Sequence, residues 1–292
     1  MRTTYEDFRT NLINEITGLM PEARPEFCEI QKINGTVVEG LQMQVGNSST
    51  APVFYPHSLY EDDPDDCRMI AAYIVEKTRE AFPYGEDLIK DITSFETIKD
   101  RVIIKLINKA KNDTLLFDAP HTTVLDLAAT YAVDLGNAND RGDSALVQVK
   151  NPLFGLWGVD VKTLHATALD NTRERLGLSL KSLQDVLRSL GQVDCDPGFP
   201  VSMWILTNDK NLYGASTILL PKAKEMIGEV FGNCCYAIPS SVHEWILVPL
   251  NDVSGPADIN GIIEEVNATA LKPEEFLGDH MYLYDEGELK MV

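Results

Sequence analysis

Apolar residues along this chain follow two periods, and each marks a different kind of element. Residues 4–19 place Tyr5, Phe8, Leu12, Ile16 and Leu19 at spacings of three and four, which predicts one amphipathic helix ended by Pro21 and Pro25. "FCEIQKINGTVVEGLQMQV" sets Asn34-Gly35 between two strand-like runs. That dipeptide supplies the two positive φ angles of a type I′ turn, so a hairpin is expected. "APVFYP" predicts a short strand. "EDDPDDCRMIAAYIVEKTREAF" predicts a helix with Asp63 as its cap, Pro64 in its first turn, and Asp65 and Asp66 at the positive end of its dipole. Cys67, Ile70, Ala71, Ile74 and Val75 form its apolar stripe.

Strand signals dominate the middle of the chain. "DRVIIKLIN" at 100–108 is rich in β-branched residues, "TVLDLAATYAVDL" at 123–135 reads as one further strand, and "GNANDRGDSALVQV" as a turn and a returning strand. Arg141-Gly142-Asp143-Ser144 inside that turn matches an adhesion tripeptide and is read as a chance occurrence. Val161, Leu164, His165, Ala168 and Leu169 share one helical side, and 178–190 reads as a second amphipathic helix. Residues 191–200 read as a linker. Beyond it, "VSMWILTN" and "LYGASTILL" are expected to be paired strands around the turn "NDKN". A helix from Pro221 to Gly232, strands "CCYAIPS" and "HEWILVPL", a helix after Pro256 and a terminal hairpin complete the pattern. Strand, strand, helix recurs near 123–175, 201–231 and 235–270, so repeated ββα units are one reading of the order.

These elements predict an α+β fold: a mixed, mostly antiparallel sheet with packed helices. Residues 1–118 are expected to form an N-terminal part and 119–292 a larger ββα-rich part, the two packing as one body. Apolar residues are 44% and charged residues 24% of 292, enough for a core of ordinary size. No apolar run approaches the length that spans a bilayer, so no membrane role is expected. The start of the chain carries scattered acids and does not resemble a signal peptide, which points to the cytoplasm. Five scattered cysteines with no CxxC argue against a disulfide framework or zinc site. The formal net charge of −20, spread over both halves, argues against direct nucleic-acid binding and favours a protein partner. It leaves open an inhibitor from a phage or mobile element whose carboxylates mimic nucleic acid.

Chemistry concentrates in "IPSSVHEWILVPL", residues 238–250. Ser241, His243 and Glu244 supply the residue types of a hydrolase or transferase acting on small substrates. On a strand, His243 and Glu244 point to opposite faces, no GxSxG elbow is present and no HExxH exists. The favoured reading is a polar turn of Pro239, Ser240 and Ser241 leading into a strand covered on both faces. If that turn meets the one at 208–210, Asn208, Asp209, Tyr213, Ser240, Ser241, His243 and Glu244 form a small polar binding pocket. His121 is read as a capping residue, His165 as a core or boundary residue, and His57 and His280 as lacking ligand-like neighbours. No phosphate-binding glycine loop appears, so no cofactor or metal is expected.

The strings "DRVIIKLIN", "LDLAATY", "LWGV", "LTNDKNLYGASTILL" and "IPSSVHEWILVPL", in this order, resemble a family from gut Firmicutes classed as domain of unknown function 5688. The likeness runs from about residue 4 to about residue 286 and is most specific at 203–250. The family often carries a longer, more acidic stretch where this chain has 191–200, so an acidic linker is not essential there. The resemblance implies a bacterial setting but no activity, cofactor or substrate. The leading expectation is a non-catalytic cytoplasmic binding or regulatory protein.

Overall fold

A computed structural model of the protein describes residues 4–46, 51–57, 60, 66–137, 144–189, 202–232, 234–252 and 256–292. The Asp63–Asp65 cap region, the Arg141–Asp143 turn and the 191–200 linker lie outside them. The chain divides into two compact units, one of residues 1–32 and 36–94, the other of 33–35 and 95–292. Residues 95–118 therefore group with the second unit, not with the N-terminal part. The reason is strand pairing: 102–108 runs along the whole first half of a later strand.

In the first unit, helix α1 (Tyr5–Leu19) starts where Thr4 Oγ1 accepts the Asp7 N–H at 3.2 Å. Its stripe of Phe8, Leu12 and Ile16 is fully buried. Strands β1 (Ala23–Gln31), β2 (Val37–Val45) and β3 (Val53–Phe54) form an antiparallel sheet in that order. Asn34 and Gly35 in the β1–β2 turn have φ of 61° and 68°, the two positive values the dipeptide predicts. Helix α2 (Cys67–Ile92) is capped by Asp66, which accepts the Met69 N–H at 3.1 Å. Ile70, Ala71, Ile74 and Val75 of α2 join Phe8, Leu12, Ile16, Leu41 and Met43 in one core.

The second unit opens with α3 (Phe95–Ile98) and β4 (Val102–Asn108), every residue of which is buried. After α4 (Asp113–Phe117), the run read as one strand is a hairpin: β5 (His121–Val124) and β6 (Leu127–Asn137). Leu125, at φ 56°, turns the chain between them. Strand β6 is central, with β4 on one edge and β5 and β7 (Ser144–Gln148) on the other. Helix α5 (Asn151–Trp157) ends at left-handed Gly158, and α6 (Val161–Leu176) follows. The unpaired edge of β4 is met by α6: Asn171 Nδ2 donates to the Val102 carbonyl at 2.9 Å, and Thr172 Oγ1 accepts the Ile104 N–H at 2.9 Å. Two polar side chains thus occupy a strand edge that would otherwise be open to another chain.

A six-stranded antiparallel sheet holds the rest, ordered β13 (Glu288–Met291), β12 (Tyr282–Asp285), β10 (Cys234–Ser241), β11 (Glu244–Val248), β9 (Trp204–Thr207) and β8 (Ser179–Ser182). Residues 178–190 are not one helix. They form β8 (Ser179–Ser182) and α7 (Leu183–Ser189), because "LSLKS" alternates and β9 (Trp204–Thr207) offers an edge. "LYGASTILL" is likewise not a strand. Both edges of β9 are taken, by β8 and β11, and residues 214–219 wind into a 3-10 helix. The stretch 201–231 is therefore strand, 3-10 helix, then α8 (Pro221–Phe231), and the ββα order does not recur there. Strands β10 (Cys234–Ser241) and β11 (Glu244–Val248), helix α9 (Pro256–Thr269) and the hairpin β12 (Tyr282–Asp285) and β13 (Glu288–Met291) follow as expected. All strand pairs among the described residues are antiparallel, and the fold is α+β.

Candidate functional site

The corner between β10 and β11 is where the sequence concentrates its chemistry. Pro239 lacks a backbone donor, yet it sits in an inner strand. It is tolerated because pairing with β12 ends at Ala237, leaving that side of Pro239 with no ladder to serve. The register then slips between Pro239 and Ser241, and Val242 and His243 make the turn. His243 is thus a turn residue, not the first residue of a strand face. On β11, Trp245 and Leu247 are fully buried while Ile246 is half-buried, so the strand is covered completely on one face only.

Three chain segments lock this turn. Ser241 Oγ accepts the His243 N–H at 3.0 Å, and the Val242 N–H donates to the Glu275 carbonyl at 2.8 Å. Thr207 Oγ1 donates to the His243 carbonyl at 2.8 Å, and the Trp245 indole N–H donates to the Ala215 carbonyl at 2.7 Å. Most telling for chemistry, the backbone N–H of Tyr213 donates to His243 Nδ1 at 3.1 Å. The Tyr213 and His243 rings lie 5.6 Å apart.

The loop that reaches over is built by Asn208. Its Oδ1 accepts the Lys210 and Leu212 N–H groups at 3.1 and 3.2 Å, and its Nδ2 donates to the Leu212 carbonyl at 2.8 Å. Asn211 and Tyr213 both take φ of 50°, a costly conformation for residues with side chains, so the fixed hydrogen bonds must hold it. Gly214 fits because a Cβ there would run into Thr207 Oγ1 and the His243 carbonyl.

The loops at 208–213 and 240–244 therefore meet. Tyr213, Ser241 and His243 form one connected set. Ser240 Oγ donates to Glu244 Oε1 at 3.1 Å as a separate pair. Asn208 serves its own loop, and Asp209 is exposed with its carboxylate against Gly177. Sequence reasoning missed Thr207, Gly214 and Glu275, which reach the corner from segments remote along the chain: Thr207 by its hydroxyl, Gly214 by its lack of a Cβ and Glu275 by its carbonyl. It also missed Lys105, whose only signal is a lone charge inside "VIIKLIN". Lys105 is 7% exposed; its Nζ donates to Gln148 Oε1 at 3.1 Å and lies 4.4 Å over the Tyr213 ring.

Burial pushes the His243 pKa below the ordinary histidine value, opposed by the nearby charges of Glu275 and Glu244. Burial pushes the Tyr213 hydroxyl up, with the charge of Glu274 adding to it. A ring that accepts an amide N–H on Nδ1 is neutral and carries its proton on Nε2. Neither serine hydroxyl is bonded to it among the described residues. No group of three or more metal-ligating side chains occurs among the described residues. His121 Nδ1 lies 3.0 Å from the Ala119 carbonyl, and Asp126 accepts the Tyr282 hydroxyl at 2.7 Å. His280, read as lacking ligand-like neighbours, stands beside Asp279 and Asp126 at 2.8 and 3.6 Å. No described helix is long and apolar enough to cross a membrane.

Fold and corner define an α+β protein of antiparallel sheets whose β10–β11 turn is held by hydrogen bonds from the chain itself. The chain belongs to the family of unknown function DUF5688, whose family model matches residues 5–286. No curated protein and no solved structure matches the chain.

Proposed function

We propose that the chain is a non-catalytic binding protein that acts through another protein in a bacterial cytoplasm. The observation that carries this reading is the Tyr213 N–H on His243 Nδ1. A general base must offer a free nitrogen to the nucleophile's proton. Here that nitrogen holds a loop, Ser241 Oγ accepts the His243 N–H, and Ser240 is paired with Glu244. The corner shapes a surface whose outer residues include Asp209 and Lys210, both exposed. The net charge of −20 favours a basic partner.

The test is affinity capture of the tagged chain beside the variant His243→Asn, whose Oδ1 can still accept the Tyr213 N–H but whose side chain cannot titrate. One dominant partner, retained by the variant and weakened as salt rises, is the expected result. Turnover of small esters or amides by the wild type, abolished in His243→Asn with the fold intact, overturns it.

A further inference from the structure

The loop between β9 and the 3-10 helix is held in a conformation its residues do not favour. Asn211 and Tyr213 both have φ of 50°, where a Cβ crowds the backbone. Two braces flank the strained stretch. Asn208 Oδ1 accepts the Lys210 and Leu212 N–H groups ahead of it. Behind it, the Ser216 hydroxyl and N–H donate to the Tyr213 carbonyl at 2.9 and 3.3 Å. Between the braces, the Tyr213 N–H donates to His243 Nδ1 at 3.1 Å.

An imidazole fills that role in one protonation state only. With its proton on Nε2 the ring accepts at Nδ1; once Nδ1 gains a proton, two N–H groups face each other. The surroundings of the ring divide over the charge. Burial disfavours the cation most strongly and Lys272 adds to it, while Glu275, Glu244 and a backbone hydrogen bond to Asn211 favour it. The charge of Glu274 bears on Tyr213, and Asp209 and Lys210 are exposed on the loop itself. On the far side of Tyr213 stands Lys105, whose Nζ lies 4.4 Å from the ring centroid and whose residue is 7% exposed.

We propose that His243 is a proton-operated latch: a proton taken up at Nδ1 releases the Tyr213 N–H, and the left-handed residue relaxes and carries its ring off Lys105. The latch is closed while the ring is neutral and opens on acidification. The Tyr213 ring is part of what covers Lys105, so opening gives water access to a buried cation. The event is local, because the braces at Asn208 and Ser216 do not involve the imidazole. Opening also reshapes the exposed surface of Asp209 and Lys210. That last consequence alone rests on the partner reading. The latch itself is tested on the free chain, so its failure leaves the partner reading standing.

Amide exchange and ring titration by NMR on the full chain, from about pH 8 to about pH 4, test the latch. Protection of the Tyr213 amide, corrected for the intrinsic effect of pH, is expected to fall roughly 10-fold or more with the midpoint of the His243 ring. The Tyr213 ring signals should move with the same midpoint. The Ala215 amide and the Trp245 indole N–H, bonded to the Val242 and Ala215 carbonyls, should keep their protection. His243→Asn keeps an acceptor at the Nδ1 position and cannot titrate, so its Tyr213 amide should stay protected across the range. A His243 ring that titrates without loss at Tyr213, or that does not titrate before the chain unfolds, overturns the proposal. Equal loss at Ala215 and Trp245, or the wild-type loss in a folded His243→Asn, overturns it as well.

Discussion

The Tyr213 N–H and His243 Nδ1, 3.1 Å apart, tie the left-handed loop that follows β9 to the turn between β10 and β11. Burial disfavours the charged ring, and protonating Nδ1 would also set one N–H against another. The folded pKa is therefore lowered, so the unfolded chain takes up this proton first. Stability from this group is complete above the ordinary value of 6.5 and falls as pH drops from there toward the lowered value. Urea midpoints measured across that window should fall less steeply in His243→Asn than in wild type. A residual slope is expected, because burial lowers the pKa of His165 as well.

Gly214 tests how tightly the corner closes. Its Cβ would meet Thr207 Oγ1, the His243 carbonyl oxygen and, at 2.9 Å, the Asn208 nitrogen. Two of these are backbone atoms that cannot swing aside. Gly214→Ala should cost about 3 kcal/mol by denaturant unfolding. Gly155, in α5 with open space around it, is the control: Gly155→Ala should add about 0.5–1 kcal/mol.

What the sequence revealed was what neighbours along the chain decide. The helical stripe of α1, the Asn34-Gly35 turn and the β10–β11 hairpin all depend on contacts within a few residues. What it concealed depended on remote edges. "LYGASTILL" has strand-forming residues, yet β9 already had two partners, so the segment wound into a 3-10 helix. "LSLKS" fits both periods, and only the free edge of β9 decided for a strand. At the corner the residue types were visible, but the hydrogen-bond directions that separate a base from a spacer were not. Thr207 and Tyr213 reach His243 across 36 and 30 residues. Lys105 showed itself as an odd residue in an apolar strand, without any sign of Tyr213 above it.

Cysteine labelling separates surface from core. Cys234 and Cys235 are neighbours on β10 and face opposite sides, half-buried and buried. Burial pushes the Cys235 thiol up to about 12, with the Cys234 charge adding to it. The thiolate is the reactive form. Cys235 should stay unmodified by maleimide in the native protein and react only on unfolding, while half-buried Cys28 reacts before it. Peptide mapping by mass spectrometry reads the order, and early labelling of Cys235 would contradict it.

Asp134 and Arg175 form the most deeply buried ion pair among the described residues. The carboxylate is 1% exposed and takes Arg175 Nε at 3.0 Å and Nη2 at 2.9 Å, while the Gly136 N–H donates to its other oxygen at 2.9 Å. The partners are unequal, because the Arg175 side chain is 30% exposed and can still reach water alone. Removing the arginine should therefore hurt more than removing the charge it answers. Arg175→Met leaves a buried carboxylate with one donor and should cost about 3 kcal/mol. Asp134→Asn keeps an acceptor for Gly136 and frees a cation that solvent can screen, so it should cost about 1 kcal/mol. The double variant should cost clearly less than the sum of the two, since no unanswered charge remains inside. Additive losses in urea unfolding would show that the pair contributes packing rather than charge compensation.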